Sequence, residues 1–207
     1  MSDAVFILTA YLIGSLSFAV IVSRSMGLPS PHDYGSGNPG ATNVLRSGSK
    51  LAALLTLLGD CLKGWFAVFI AKHYAWHFGV GDLGIALVAL TVFIGHLFPL
   101  YFRFKGGKGV ATAGGILFAL DWRIGLGTVV TWLVIALFFR YSSLAALVAA
   151  IFAPFYTALV LGFNAYAVCV LLLAALLIWR HRSNILKLLS GTESRIGGKK
   201  APIEGEP

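Results

Sequence analysis

The sequence predicts an all-α integral membrane protein of seven transmembrane helices, with the N-terminus outside and the C-terminus cytoplasmic. Composition is the first ground: of 207 residues, 58% are hydrophobic and 12% charged, with a mean hydropathy of +0.85. A soluble domain carries about 25% charged residues. The second ground is pattern. The apolar residues come in long, nearly uncharged runs rather than alternating or one-faced ones, and a helical span needs roughly 20 of them. A bundle of helices follows, because only helices or closed barrels satisfy their backbone groups in lipid. The third ground is the uneven placing of lysine and arginine between the runs.

The runs place helices at 4–23, 51–71, 83–102, 110–121, 123–139, 143–161 and 164–180. Asp60 and Lys63 interrupt the second, His96 closes the third, and the fourth is short. The longest connection, 24–50, is rich in Gly, Ser, Pro and Asn, and a second Gly/Lys loop covers 103–109. One domain spans 1–207, with the tail after about residue 194 expected to be flexible; no repeat or soluble domain interrupts it. The N-terminal run has no basic flank and is long enough to stay as a span, so no cleaved signal peptide is expected.

With seven crossings and the C-terminus inside, Arg24, Arg46, Lys50, Arg103, Lys105, Lys108, Arg140 and the basic residues from Arg180 onward share one side. That is 13 of the 16 lysines and arginines, with only Lys72 and Arg123 opposite. Were the fourth segment not to cross, the basic tail would lie outside, so the positive-inside bias favours crossing. The net charge of +8 is dispersed through these loops, which argues against nucleic acid as a partner. Cys61 and Cys169 both fall within spans, which argues against disulfides, a metal centre or a catalytic thiol; no metal and no cofactor is expected.

Two loops on the cytoplasmic side carry the chemistry. In Gly35-Ser-Gly-Asn-Pro-Gly-Ala-Thr-Asn-Val-Leu-Arg46, the glycines Gly35, Gly37 and Gly40 allow turns whose N–H groups converge on an anion, phosphate above all. Ser36, Asn38, Thr42 and Asn43 add neutral donors, and Arg46 adds a planar fork suited to phosphate. In Phe104-Lys-Gly-Gly-Lys-Gly-Val-Ala-Thr112, Lys105 and Lys108 flank Gly106 and Gly107, and Gly109 leads into a helix N-terminus. The spacing is not that of a nucleotide-binding P-loop. Two anion loops on one face suggest two phosphates in one site.

Around them, His181 and Asn184 lie three apart on a helical face, one fit to donate to a developing oxyanion and the other to orient a hydroxyl. His96 at its helix end has a structural reading and a catalytic one. Asp60 and Lys63 read better as an ion pair inside the membrane than as substrate contacts. Ser142 and Ser143 either line the site or cap the helix that begins there. His77-Phe-Gly-Val-Gly-Asp82 mimics the His-x-x-x-x-Asp pattern of acyl-CoA-dependent glycerolipid acyltransferases, but it belongs to the outward side.

The first loop, Gly95-His-x-Phe-Pro99 with the second loop, and Arg180-His-x-x-Asn-Ile185 with Gly191-x-Glu193 together resemble the bacterial acyl-phosphate:glycerol-3-phosphate acyltransferases, the PlsY family. Asp60, Lys63-Gly64 and Ser143-Leu144 extend the resemblance over almost the whole chain, and only the tail after Glu193 is peculiar to this sequence. The resemblance implies a bacterial inner-membrane enzyme that moves an acyl group from acyl phosphate to the 1-position of sn-glycerol 3-phosphate. The products would be lysophosphatidic acid and phosphate, in the first step of phospholipid synthesis, with a functional link to the enzyme that makes acyl phosphate. It further implies Ser36 and Arg46 as essential, Lys105 to Gly109 as the glycerol 3-phosphate loop, His181 and Asn184 as catalytic-site residues, and Glu193 as structural. A transporter fits less well, lacking repeated halves and a midplane site. A lipid-binding scaffold would not need the glycine turns.

Overall fold

The computed structural model describes residues 2–197, and every regular element among them is helical. In chain order these are α1 (Ser2–Gly14), α2 (Phe18–Ser25), α3 (Ala41–Val44), α4 (Lys50–Tyr74), α5 (Asp82–Leu97), α6 (Val110–Leu120), α7 (Trp122–Phe139), α8 (Ser142–Leu161), α9 (Ala165–Arg180) and α10 (Arg182–Leu189). Single 3-10 turns lie at Leu45–Ser47, Ala75–Phe78 and Leu100–Phe102. Among the described residues, four units are long and apolar enough to cross a bilayer: α4, α5 with its following turn, α7 and α8. The bent pairs α1–α2 and α9–α10 bring the number to as many as six. The run expected at 110–121 is the apolar helix α6, whose 11 residues reach only about 16 Å at 1.5 Å per residue.

The expected first helix, 4–23, is not continuous. It breaks at Ser15–Ser17, and α2 leaves α1 at 43°. Polar partners from elsewhere take up the freed groups. The Ser15 hydroxyl accepts from the Leu100 N–H at 3.1 Å, and the Leu16 carbonyl accepts from Lys63 Nζ at 2.5 Å. Lys63 in turn pairs with Asp60 at 2.8 Å, both fully enclosed one helical turn apart on α4. The ion pair inferred from spacing thus exists, and it stabilises an unwound turn of the neighbouring helix.

Small residues let the helices approach closely, as dry interfaces in lipid require. A methyl at Gly14 would meet the Val92 carbonyl, and one at Gly95 would meet that of Tyr11, so α1 and α5 touch backbone to backbone. Along α4 and α6 the same holds for Gly64 against Thr112 and Gly115 against Cys61. Ala145, Ala146, Ala149, Ala150 and Ala153 make the buried stripe of α8. By contrast α7 is mostly uncovered, with Leu137 and Phe138 about four-fifths exposed to what would be lipid.

Hydrogen bonds gather the connections at two ends. At one end Thr42 meets Ser142, Arg46 meets Ser194, Arg140 meets Ile196, and Arg180 meets the 106–107 turn. At the other, Tyr166 donates to Asp82, Lys72 donates to the carbonyls ending α6, and Asp121 caps α7. The strongly basic connections therefore share one end. Ser194 and Ile196, within the tail expected to be flexible after about residue 194, take part in that network; the rest of that tail, from residue 198, lies outside the described residues.

The α4–α6 contact separates two neighbouring glycines. A methyl at Gly115 runs into the Cys61 carbonyl and the Trp65 N–H, whereas nothing lies within 4 Å of one at Gly114. Gly115→Ala should lower stability by about 1–3 kcal/mol through overpacking. Gly114→Ala should be neutral or stabilising by up to about 1 kcal/mol. Melting temperatures of the two variants in detergent provide the comparison, and equal melting would contradict this packing.

Candidate active site

The first anion loop is built on its glycines. Gly35 and Gly37 take φ of +60° and +66°, the left-handed conformation that side chains resist. Asn43, an expected phosphate donor, is instead the strut beneath the turn. Its Oδ1 accepts from the Ser36 N–H at 2.9 Å, while its Nδ2 donates to the Pro31 carbonyl at 2.8 Å and the Tyr34 carbonyl at 3.2 Å. Only 2% of Asn43 is exposed. Gly40 opens α3, and Thr42 on that helix lies 3.4 Å from the Ser142 hydroxyl, outside the cavity lining described below. Arg46 packs across Gly35 and donates to the Ser194 hydroxyl at 2.7 Å.

The second loop is clamped from both sides. The Gly107 N–H donates to the His96 carbonyl at 3.2 Å, and Arg180 donates to the carbonyls of Gly107 (3.1 Å) and Gly106 (2.7 Å). Methyl groups on Gly106 or Gly107 would overlap the His96–Leu97 backbone or the His96 ring. Gly109, at φ +86°, starts α6. Lys108 points inward and donates to Asn184 Oδ1 at 2.5 Å, whereas Lys105 is exposed and lies outside the cavity lining.

One open cavity of about 270 Å³ brings the two loops together. Ser36, Gly37 and Asn38 line it from the first loop, and Gly106 and Lys108 from the second. Arg180, Arg182, Ser183, Asn184 and Lys187 complete the wall from α9 and α10. Four cationic side chains thus surround one small space, with serine, asparagine and backbone donors between them. Such an arrangement binds phosphate groups. Among the described residues no cluster of three His, Cys, Asp or Glu stands ready for a metal ion, and both cysteines are free.

The supporting residues sit behind this wall. Glu193 Oε1 accepts from Ser143 (2.6 Å) and Asn184 (2.8 Å), so it aims Asn184 at Lys108. Ser143 is thereby a support, and Ser142 faces Thr42. His96 is 7% exposed, with Nδ1 at 3.2 Å from the Thr112 hydroxyl and 3.5 Å from Asp60. Thr112 gives its own proton to the Asp60 carbonyl at 3.0 Å, which assigns the His96 proton to Nδ1 and leaves Nε2 facing Gly107. His181, at the bend between α9 and α10, is 3% exposed, and its Nδ1 donates to the Leu177 carbonyl at 2.8 Å. It stands behind the cavity while Asn184 lines it. The sequence reading left out Arg180, Arg182, Ser183 and Lys187 as site residues; the basic cluster ending the last apolar run was their only signal. Asp82 lies at the far end, accepting from Tyr166 at 2.7 Å.

A family model described as glycerol-3-phosphate acyltransferase matches residues 4–191. A glycerol-3-phosphate acyltransferase of Cupriavidus metallidurans is 65% identical over 200 residues, covering 97% of this chain and 99% of the relative. That of Ralstonia nicotianae is 62% identical over 202 residues, covering 98% of each. Among solved structures, the glycerol 3-phosphate form of PlsY (YgiH), an integral membrane glycerol 3-phosphate acyltransferase, superposes with a TM-score of 0.88 at 37% identity. It covers 95% of this chain and 96% of that one. Its lysophosphatidic acid form gives 0.86 at 37% identity over 94% and 95%.

Burial of the Lys108 ammonium pushes its pKa below the ordinary lysine value, and Lys187, Arg180 and Arg46 push the same way against the pull of Glu193. The charge that would hold an anion is therefore lost at a lower pH than for a free lysine. Inorganic phosphate binding, followed by calorimetry, should weaken as pH rises from 8 toward about 10. Lys108→Arg should remove that alkaline loss, and an unchanged profile in this variant would assign the titration to another group.

Proposed function

The chain belongs to the glycerol-3-phosphate acyltransferase family and is an acyltransferase; on that footing we propose that it transfers a fatty acyl group from acyl phosphate to the 1-position of sn-glycerol 3-phosphate. The products are lysophosphatidic acid and inorganic phosphate, and phospholipid synthesis follows from the family. One observation carries the reading: two glycine-built turns face one cavity lined by four cations. Each substrate brings a phosphate, so one site with two anion turns suits this pair.

In this reading Lys105–Gly109 holds glycerol 3-phosphate, with Lys108 supplying the charge and the Gly106–Gly107 backbone the close approach. Ser36, Gly37, Asn38 and Arg46 take the acyl phosphate. The glycerol hydroxyl oxygen attacks the acyl carbonyl carbon, a C–O bond to glycerol forms, and the C–O bond to phosphate breaks with its electron pair leaving on phosphate. The hydroxyl proton passes to a phosphate oxygen, whose pKa near 6 suits it as acceptor. No protein base is required. His181 lacks a place in the cavity lining, and its Nδ1 proton is engaged by Leu177; its part is to fix the α9–α10 bend that presents Asn184. Asn184 and Lys108 stabilise the developing negative charge by position alone. Ser142, Ser143, Glu193, His96, Asp60 and Lys63 support the two loops.

The membrane reading is seven crossings, counting α6, with the active site on the cytoplasmic face of a bacterial inner membrane. Acyl phosphate then arrives from the leaflet and glycerol 3-phosphate from the cytosol, and the enzyme that makes acyl phosphate is a functional partner. The crowding of basic connections at the cavity end supports this orientation. A cysteine placed at residue 37 of a cysteine-free chain should resist membrane-impermeant reagents in intact cells, and one at residue 79 should label; the reverse would sink the orientation.

Kinetics on purified protein with synthetic acyl phosphate provide the test of chemistry. Arg46→Lys should cut kcat by about a hundredfold, because a point charge does not replace a bidentate fork. Gly107→Ala should chiefly raise KM for glycerol 3-phosphate, since its methyl pushes into His96. His181→Gln should keep measurable turnover and an unchanged pH profile. Loss of nearly all turnover in a folded His181→Gln that still binds glycerol 3-phosphate would make His181 the base and end the substrate-assisted mechanism.

A further inference from the structure

Beyond α10 the chain doubles back on itself. Gly191 turns at φ +70°, and the N–H groups of Thr192 and Glu193 both donate to the Lys187 carbonyl. The backbone then docks on the turn between α7 and α8. The Ile196 N–H donates to the Arg140 carbonyl at 2.6 Å, and the Arg140 guanidinium returns a bond to the Ile196 carbonyl at 3.0 Å. Arg195 donates to the Tyr141 hydroxyl at 3.1 Å and lies over its ring at 5.5 Å. Between these anchors, Ser194 Oγ accepts from the Arg46 guanidinium at 2.7 Å across 148 residues of sequence. Arg46 meanwhile packs on Gly35, where an added Cβ would stand 3.1 Å from its Cδ and 3.4 Å from Nη1. The guanidinium is thus held between the glycine turn and the serine hydroxyl.

We infer that Ser194 is a positioning residue for the acyl-phosphate side of the site, acting through Arg46, and that the docked Arg195–Ile196 backbone keeps it in place. The inference rests on the reaction proposed above. An arginine side chain loses much rotamer freedom when it is fixed on a ligand. A partner that already holds it near the phosphate turn reduces that loss in advance, which is preorganisation. The bond to Ser194 engages one of the five guanidinium N–H groups and leaves the others for phosphate oxygens. The segment lies past residue 191, where the family match ends, so nothing in that match assigns it a role. Glu193 holds Asn184 and Lys108 from the same stretch of chain. One short strap therefore sets Arg46 and Lys108 relative to each other.

The experiment is a double-mutant cycle on the full-length protein, read in KM and kcat for synthetic acyl phosphate, with melting temperature recorded alongside. Ser194→Ala should raise KM for acyl phosphate about fivefold, the size of one ordinary net hydrogen bond, since this pair is exposed to solvent. KM for glycerol 3-phosphate and the melting temperature should stay as they were. In an Arg46→Lys background the same change should alter kcat/KM by less than about twofold, because the group it positions is gone. Equal losses in both backgrounds, or a lowered melting temperature with both KM values raised together, would reduce Ser194 to a structural contact. A parent chain that transfers no acyl group from acyl phosphate overturns the proposed reaction and this inference together. An active parent with a silent Ser194→Ala overturns this inference alone.

Discussion

A single ammonium group ties the membrane interior to the site. Lys63 stands between the Asp60 carboxylate and the Leu16 carbonyl, and each of those partners would be untenable in an apolar bundle without it. The carbonyl is freed by the break between α1 and α2, and the carboxylate faces His96 as well. Breaking such a buried pair from one side costs about 3–5 kcal/mol, because the remaining charge has no water to turn to. The arrangement therefore fixes three elements at once: the bend of the first helix pair, the face of α4, and the tilt of the His96 ring. His96 then supports the Gly106–Gly107 turn through its carbonyl and its Nε2 edge. A charge network deep among the spans thereby reaches the Gly106–Gly107 turn without any of its members lining the cavity.

The cavity itself is made of backbone as much as side chain. Both glycine turns are held by neighbouring groups, the first by Asn43 from beneath and the second by the His96 carbonyl and by Arg180, which also lines the cavity. Only Arg180 comes from far along the chain, 73 residues from Gly107, and by bonding the Gly106 and Gly107 carbonyls it keeps those lone pairs from repelling an anion. What remains directed into the space is positive charge and small donors, a composition suited to positioning and electrostatic stabilisation of a reaction with a good leaving group.

Much of this was legible in the sequence because lipid imposes a coarse rule. Uncharged runs become helices, and α4, α5, α7, α8 and α9 lie close to where hydropathy places them. The two glycine turns were legible for a local reason, since glycine spacing encodes backbone shape. What escaped depends on partners far away in the chain. The α1–α2 break needs Lys63, which comes 47 residues after Leu16. Asn43 is a local exception: its bonds to the Ser36 N–H and to the Pro31 and Tyr34 carbonyls depend on a loop shape that no pattern marks. His181 and Asn184 share spacing, yet the bend between α9 and α10 turns one inward to Leu177 and the other to the cavity. Arg180 reads as one more basic residue at a helix end until the loop it clamps is seen beside it.

The crowd of cations around one small cavity has a consequence for turnover. On the proposed reaction, the fragment released is itself a phosphate, chemically the same kind of group that the wall attracts in both substrates. A wall with Lys108, Arg180, Arg182 and Lys187 on it holds the departing anion by the forces that held it on arrival. Emptying then competes with chemistry for control of the cycle. The open form of the cavity eases that burden by letting water and counter-ions exchange with the spent phosphate. Throughput at such a site would follow the ionic composition of the solution around it as well as the supply of acyl chains.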